Sequence, residues 1–117
     1  PVCVAAALAT LDVLIHDAFI IGQVNQKASY LVSKIDHPYV KEIRFEGLFI
    51  GVELIKKEMI EPFITYVIGQ GVLIDFFLFD PFSFRIAPPL IAEYQHLEKA
   101  AEILKKGFKY LENLDLI

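Results

Sequence analysis

Cysteine and histidine are scarce in this 117-residue sequence, and their scarcity limits the chemistry available to the chain. The one cysteine, Cys3, has no partner for an internal disulfide, which is typical of proteins in a reducing compartment. The three histidines are scattered and lack the spacing of metal ligands. We therefore expect a cytoplasmic protein without a structural metal.

Positive charge is also sparse, because 11 lysines and arginines face 15 aspartates and glutamates and give a formal net charge of -4. Adjacent basic residues occur only as the pairs Lys56–Lys57 and Lys105–Lys106. Two such pairs do not make a patch that could follow a phosphate backbone. The sequence thus predicts no nucleic-acid partner.

No apolar run is long enough to cross a bilayer, which requires about 20 residues. The run Val2–Ile15 is shorter and contains Asp12, but its alanine-rich composition predicts a helix. Because this helix is apolar on nearly every side, we expect it to be covered by neighbours that this chain lacks. The sequence also has no initiator methionine or leader before Pro1, so we expect an excised piece of a longer protein.

What the sequence does contain is apolar residues, at 56% of the chain, enough for the core of one domain over residues 1–117. Their spacing predicts helices and strands in an order that favours a two-layer α/β or α+β fold, a small sheet with helices packed on it. The predicted helices are Val2–Ile15, Val24–Ile35, Glu61–Ile68 and Glu93–Leu114. The predicted strands are two segments within Ile43–Ile55, then Val72–Ile74 and Phe82–Ile86.

Two glycines modify the first pair of strands. The period-two pattern changes phase at Gly47, which predicts a bulge, kink or break there. Gly51 lies opposite the apolar row of its strand, where the missing side chain would let another backbone or a ring approach closely. Glu53, on the same face as Gly51, is predicted to be a solvated strand residue.

Phenylalanine is concentrated between Phe76 and Phe84, where large apolar residues crowd a connection that contains Asp80 and Pro81. We interpret these side chains as core. The alternative is an apolar wall at a site or an interface.

Arg85 stands between large apolar residues and is followed closely by Pro88 and Pro89. Alternation places it on the face opposite Phe84 and Ile86, and the prolines must end the strand. A guanidinium held at a rigid strand end suits bidentate capture of a carboxylate or phosphate. A structural salt bridge to a nearby aspartate or glutamate explains the same residue, and the pattern leaves both readings open.

A complete reaction site is absent from the sequence. No serine or cysteine has a histidine base within a motif, no carboxylate pair is placed for acid–base work, and no cofactor loop occurs. Residue patterns alone therefore indicate a two-layer domain with one candidate binding residue.

Four blocks in order resemble the C-terminal part of class III aminotransferases, the ornithine and acetylornithine aminotransferase group. They are Pro1–Leu14 (PVCVAAALATLDVL), Arg44–Leu54 (RFEGLFIGVEL), Gly71–Leu73 (GVL) and Arg85–Leu90 (RIAPPL). The resemblance covers nearly the whole chain. It implies the small, mostly antiparallel C-terminal domain of a fold type I enzyme that uses pyridoxal phosphate and forms a homodimer.

The resemblance also assigns residues. Arg85 matches the family's arginine at the substrate carboxylate, whereas the cofactor lysine, the aspartate on the pyridine nitrogen and the phosphate loop lie upstream of Pro1. It therefore implies that this chain contains no catalytic, cofactor-binding or metal-binding residue. Gly47 and Gly51 match family glycines, but Phe45 replaces another, which affects the local turn.

Two functions from different classes follow. The first is a fragment, inactive alone, of an aminotransferase that moves an amino group between an ornithine-like amino acid or other amine donor and a 2-oxo acid. The second is a non-enzymatic module that binds carboxylates or dimerises.

Overall fold

A computed structural model describes residues 1–116, which form a helical layer on one face of a small sheet. The helices are α1 (Val2–His16), α2 (Ala18–Gly22), α3 (Val24–Lys34), α4 (Ile60–Gly69) and α5 (Tyr94–Glu112). The strands are β1 (Val40–Glu46), β2 (Phe49–Leu54), β3 (Asp75–Phe77) and β4 (Asp80–Ile86). A short 3-10 turn at Lys57–Met59 leads into α4.

The strands form a four-stranded sheet in the order β1-β2-β4-β3, and every neighbouring pair is antiparallel. The predicted two-layer fold with a small, mostly antiparallel sheet is therefore confirmed. The four longer predicted helices are confirmed to within a few residues, and α2 is a short additional helix that precedes α3.

The core lies between the sheet and helices α3, α4 and α5. From the sheet, Ile50, Val52 and Leu54 of β2 and Phe84 and Ile86 of β4 are buried. Three aromatic rings connect the two layers. The ring centroid of Phe63 on α4 lies 4.7 Å from that of Phe84 on β4 and 4.7 Å from that of Phe108 on α5. Such tilted ring contacts add to the burial of large apolar area. The helical layer therefore covers one face of the sheet and leaves the other face open.

Both glycine predictions for β1 and β2 are confirmed. Gly47 lies between the two strands with a φ of +54°, a backbone conformation that glycine adopts without strain. A Cβ placed at Gly51 would lie 3.3 Å from two atoms of the Phe77 ring. The space left by Gly51 is thus used by a ring from another strand.

The predicted strand at Val72–Ile74 is wrong, because the third strand begins only at Asp75. Val72 donates its backbone N–H to the carbonyl of Val67 at 3.2 Å and so closes α4. Gly71, with a φ of +97°, allows this reversal of the chain. Val72 thus completes the end of the helix, whereas Leu73, 86% exposed, and Ile74, buried, lie in the connection to β3.

The interpretation of the phenylalanine-rich connection as core is also wrong, except at Phe84. The β3–β4 hairpin carries most of these side chains into solvent, with Leu78 81% and Phe79 93% exposed. Phe76 and Phe82 are exposed as well, and Phe77 is half-buried. This hairpin is the apolar surface that the alternative interpretation described.

Helix α1 contains no buried residue, as expected of a helix whose neighbours lie outside the chain. Val4, Leu8 and Leu11 are all exposed.

Within residues 1–116, no single helix is long and apolar enough to cross a membrane. In the same part of the chain, α1 and the helical stretch Ala18–Lys34 are together long and apolar enough, but the two are bent by 74° relative to each other.

Candidate carboxylate site on the open face of the sheet

The open face of the sheet carries the side chains that alternate with the buried row. Strand register places four of its residues in one line across the sheet. Arg44 of β1 pairs with Gly51 of β2, Gly51 with Arg85 of β4, and Arg85 with Asp75 of β3. The line therefore contains two arginines separated by a glycine, with an aspartate at the end.

Arg85 occupies the position predicted for it, next to the last residue of β4 and between the buried Phe84 and Ile86. One of its terminal nitrogens, Nη2, donates to Oδ2 of Asp75 at 2.9 Å. Both side chains are partly exposed, so solvent weakens this ion pair. The guanidinium has further donors that could receive a second carboxylate.

Asp75 is a site residue that the sequence analysis did not identify. It meets Arg85 because β3 and β4 pair directly, with an irregularity in register between Phe76 and Phe77. The two partners are ten positions apart in the chain. A charged residue just after the apolar run Val72–Ile74 was the one available signal, and it did not specify a partner.

Arg44, the other arginine of the line, lies among acidic groups. Its guanidinium is 3.0 Å from Glu42, 3.5 Å from Glu53 and 3.5 Å from Asp80. Three carboxylates around one guanidinium disfavour a further anion. Arg85 has one carboxylate partner in the described part of the chain and is therefore the better candidate for binding a carboxylate ligand.

Glu53 belongs to this acidic cluster, and the prediction that it is solvated is wrong. Its side chain is 14% exposed and accepts a hydrogen bond from Nζ of Lys41 at 2.6 Å. That bond raises the pKa of Lys41 above its ordinary value.

Asp80, another member of the acidic cluster, accepts a hydrogen bond from the hydroxyl of Ser83 at 2.6 Å. This bond is the largest cause that lowers the pKa of Asp80. These two hydrogen bonds thus favour the charged forms of Lys41 and Asp80.

The described residues do not by themselves fit pyridoxal phosphate. A lysine that carries this cofactor needs a reactive amine beside groups that hold the phosphate and ring. The amine of Lys27 is buried against the carbonyl of Leu90, and that of Lys41 is engaged by Glu53. Lys105 and Lys106 are exposed to solvent on α5.

Comparison with known proteins supplies the family. The sequence profile of class-III aminotransferases matches residues 1–108. The chain belongs to the class-III aminotransferase family. Ornithine aminotransferase 2 of Staphylococcus aureus is 35% identical over 112 residues, and that of Staphylococcus saprophyticus is 37% identical. These alignments cover 93% of this chain but 27% of each relative.

Solved structures agree on the fold. A transaminase obtained by ancestral reconstruction matches with a TM-score of 0.83 and 22% identity, covering 99% of this chain and 28% of that one. An aminotransferase of Bacillus anthracis matches with a TM-score of 0.77 and 22% identity, covering 89% of this chain and 27% of that one. The two-layer domain is thus a part of the transaminase architecture.

Proposed function

We propose that this chain is the C-terminal small domain, residues 1–117, of a longer pyridoxal phosphate-dependent aminotransferase. The proposed reaction moves an amino group between an ornithine-like amino acid or another amine donor and a 2-oxo acid. The family match and the two ornithine aminotransferase relatives support this reaction. The cofactor would be held by parts of the longer enzyme, since the described residues do not fit it.

The observation that carries the proposal is the position of Arg85 on the open face of the sheet. There its guanidinium is reachable, is held next to a strand end made rigid by Pro88 and Pro89, and has one carboxylate partner among residues 1–116. A substrate carboxylate could displace Asp75 and form two parallel charge-assisted bonds. In this role Arg85 orients the substrate and leaves the chemistry to groups elsewhere in the enzyme.

A cytoplasmic homodimer is part of the same proposal. The lone cysteine supports a reducing compartment. The exposed apolar side chains of α1 and of the β3–β4 hairpin support contact with further protein, such as the rest of the enzyme or a second subunit. A non-enzymatic module that binds carboxylates is less well supported, because the family match extends over the whole sheet and most of α5.

The substitution Arg85→Lys in the longer enzyme tests this role. Lysine keeps the charge but loses the planar pair of donors. We expect a loss of about 2–4 kcal/mol of transition-state stabilisation in the half-reaction whose substrate places a carboxylate there. A donor amine without that carboxylate should react at an unchanged rate, as measured by single-turnover kinetics for each half-reaction.

Arg44→Lys is the matched control, because Arg44 lies in the same line but among carboxylates. It should leave both half-reactions unchanged. If Arg85→Lys lowers the melting temperature while both specificity constants stay at the wild-type values, Arg85 is a structural residue and its proposed role is wrong.

A further inference from the structure

Lys27 is a buried cation that the proposed carboxylate site does not use. Its side chain on α3 is 3% exposed, although lysine is seldom buried without an acidic partner. Within residues 1–116 it forms no ion pair, and its Nζ donates to the backbone carbonyl of Leu90 at 3.1 Å. Burying an ammonium against a neutral group costs stability, and an apolar side chain of similar volume often serves better.

The partner of Lys27 lies on the segment that follows Arg85. Leu90 is five residues beyond Arg85, and Pro88 and Pro89 between them have fixed φ angles. Ala92 then donates its N–H to the carbonyl of Pro89 at 2.9 Å and closes a turn. A restraint on Leu90 is therefore transmitted through a stiff segment to the end of β4.

Helix α3 also restrains the other strand beside Arg85. A Cβ placed at Gly47 would lie 3.3 Å from Cγ2 of Val24, so α3 touches the turn that leads into β2. Gly51 on β2 is the register partner of Arg85. The first half of α3 thus contacts the connections on both sides of the Gly51–Arg85 pair.

We propose that Lys27 is a positioning residue for Arg85: its ammonium fixes the Pro88–Leu90 segment and thereby the orientation of the guanidinium. This inference rests on the proposed role of Arg85 and adds the residue that holds it. The restraint acts through the backbone, so Lys27 itself contacts no substrate.

The test compares Lys27→Met with the wild-type chain by NMR. Methionine keeps a similar length and removes the donor. Loss of one hydrogen bond of about 1 kcal/mol should make exchange of the Ala92 amide about fivefold faster. The Arg85 Nε–Hε resonance should move from its wild-type position, because the guanidinium is no longer held in one orientation. In the longer enzyme, KM for the carboxylate substrate should rise by a similar factor while kcat changes little.

Lys34→Met is the matched control on the same helix. Lys34 pairs with Glu98 on α5, at 3.5 Å, and not with the segment after β4. It should leave the Ala92 exchange and the Arg85 resonance at their wild-type values. If Lys27→Met does not fold, Lys27→Gln, which retains polarity, is measured with the same two signals.

A folded Lys27 variant whose Arg85 resonance is unchanged overturns the proposal, whether or not the Ala92 amide exchanges faster. A fall in melting temperature with no change in either signal also overturns it, because that result describes a merely structural lysine. A different experiment shows whether the proposed role of Arg85 is itself wrong, because the Arg85→Lys enzyme would then have wild-type kinetics.

Discussion

Gly107 of α5 lies in close contact with α4. A Cβ there would lie 2.8 Å from Cε2 of Phe63 and 2.9 Å from Cγ2 of Val67, both buried in the core. Ordinary carbon atoms do not approach so closely, so the helices must separate or the ring must move. Phe63 also contacts Phe84 and Phe108, which leaves its ring little freedom.

Gly107→Ala should therefore destabilise the chain, although alanine is the better helix former. We expect overpacking to cost about 1–3 kcal/mol, against a gain of up to about 1 kcal/mol in helix propensity. Urea unfolding followed by circular dichroism measures the net change.

Gly69→Ala, at the end of α4, is the control, because no atom lies within 4 Å of its added Cβ. It should be neutral or slightly stabilising. Equal unfolding free energies for the two variants would show that the α4–α5 contact adapts to the extra methyl group.

Single residues differ in how far the sequence could specify them. The strand-end position and face of Arg85 follow from local alternation and the two prolines, and both were predicted. Asp75 and Lys27 could not be assigned, since their partners are ten and 63 residues away and are set by strand register and helix packing. The prediction that Glu53 is solvated failed because the alternation of a strand does not reveal that two cationic side chains lie against its carboxylate.

At the scale of elements, α3 is attached to the start of α5 by a polar contact. The hydroxyl of Tyr30 donates a hydrogen bond to Oε2 of Glu98. The rings of Tyr30 and Tyr94 also meet edge to face, with centroids 5.1 Å apart. The hydrogen bond, as the largest cause, lowers the pKa of Glu98 and raises the pKa of Tyr30.

These two pKa shifts define the pH range in which the contact stabilises the fold. The contribution of Glu98 is fully present above the pKa of an unfolded glutamate and is lost as pH falls through its lowered folded-state pKa. The contribution of Tyr30 is present below the pKa of an unfolded tyrosine and is lost as pH rises through its raised folded-state pKa. The contact therefore acts across the neutral range.

Tyr30→Phe should lower stability at neutral pH and have a smaller effect in acid, where Glu98 is protonated. Unfolding free energies measured by urea titration from neutral to acidic pH should show the wild-type and variant curves converging. Tyr66→Phe is the control, because within residues 1–116 the Tyr66 hydroxyl forms no hydrogen bond, although its ring stacks on Tyr110. A constant difference between the Tyr30→Phe and wild-type curves would contradict the assigned role of Glu98.

Elements were predictable where the chain covers its own apolar residues. The stripes of α3 and α5 and the alternating row of β2 face a core inside the domain, so their periodicity corresponds to observed burial. The end of α4 was misassigned because the chain reverses at Gly71, and the hairpin β3–β4 was misassigned for another reason. Apolar composition indicates that a segment will be covered, but it does not tell whether the cover comes from the same chain.

Two of the apolar surfaces that the fold of residues 1–116 leaves uncovered bear on association. One is α1, which is attached through α2 and has no buried residue, and the other is the β3–β4 hairpin. An isolated 15-residue helix is marginal in water, so α1 requires packing against something to stay ordered. This distribution is consistent with a domain that normally lies against further protein.

The purified chain is therefore expected to self-associate. Sedimentation velocity should show a mass that rises with concentration, and the double substitution Leu8→Lys with Leu11→Lys should shift the chain toward monomer without loss of the core. Glu102→Lys on α5 reverses the charge at an exposed site outside both surfaces and serves as the control. A wild-type chain that stays monomeric at high concentration would contradict this expectation.

The purified chain is also expected to take up no stoichiometric pyridoxal phosphate and to show no transaminase activity. The reason is structural, because a cofactor lysine must present a free amine beside a phosphate site, and Lys27 and Lys41 have their amines engaged. The lysines of α5 are exposed to solvent, so they can react only weakly and without selection among them. Absorption spectra after dialysis, followed by borohydride reduction and peptide mass spectrometry, measure the uptake.

Scattered, substoichiometric labelling of surface lysines agrees with this expectation. One fully labelled lysine with a persistent visible band would instead show that the domain carries a cofactor site of its own.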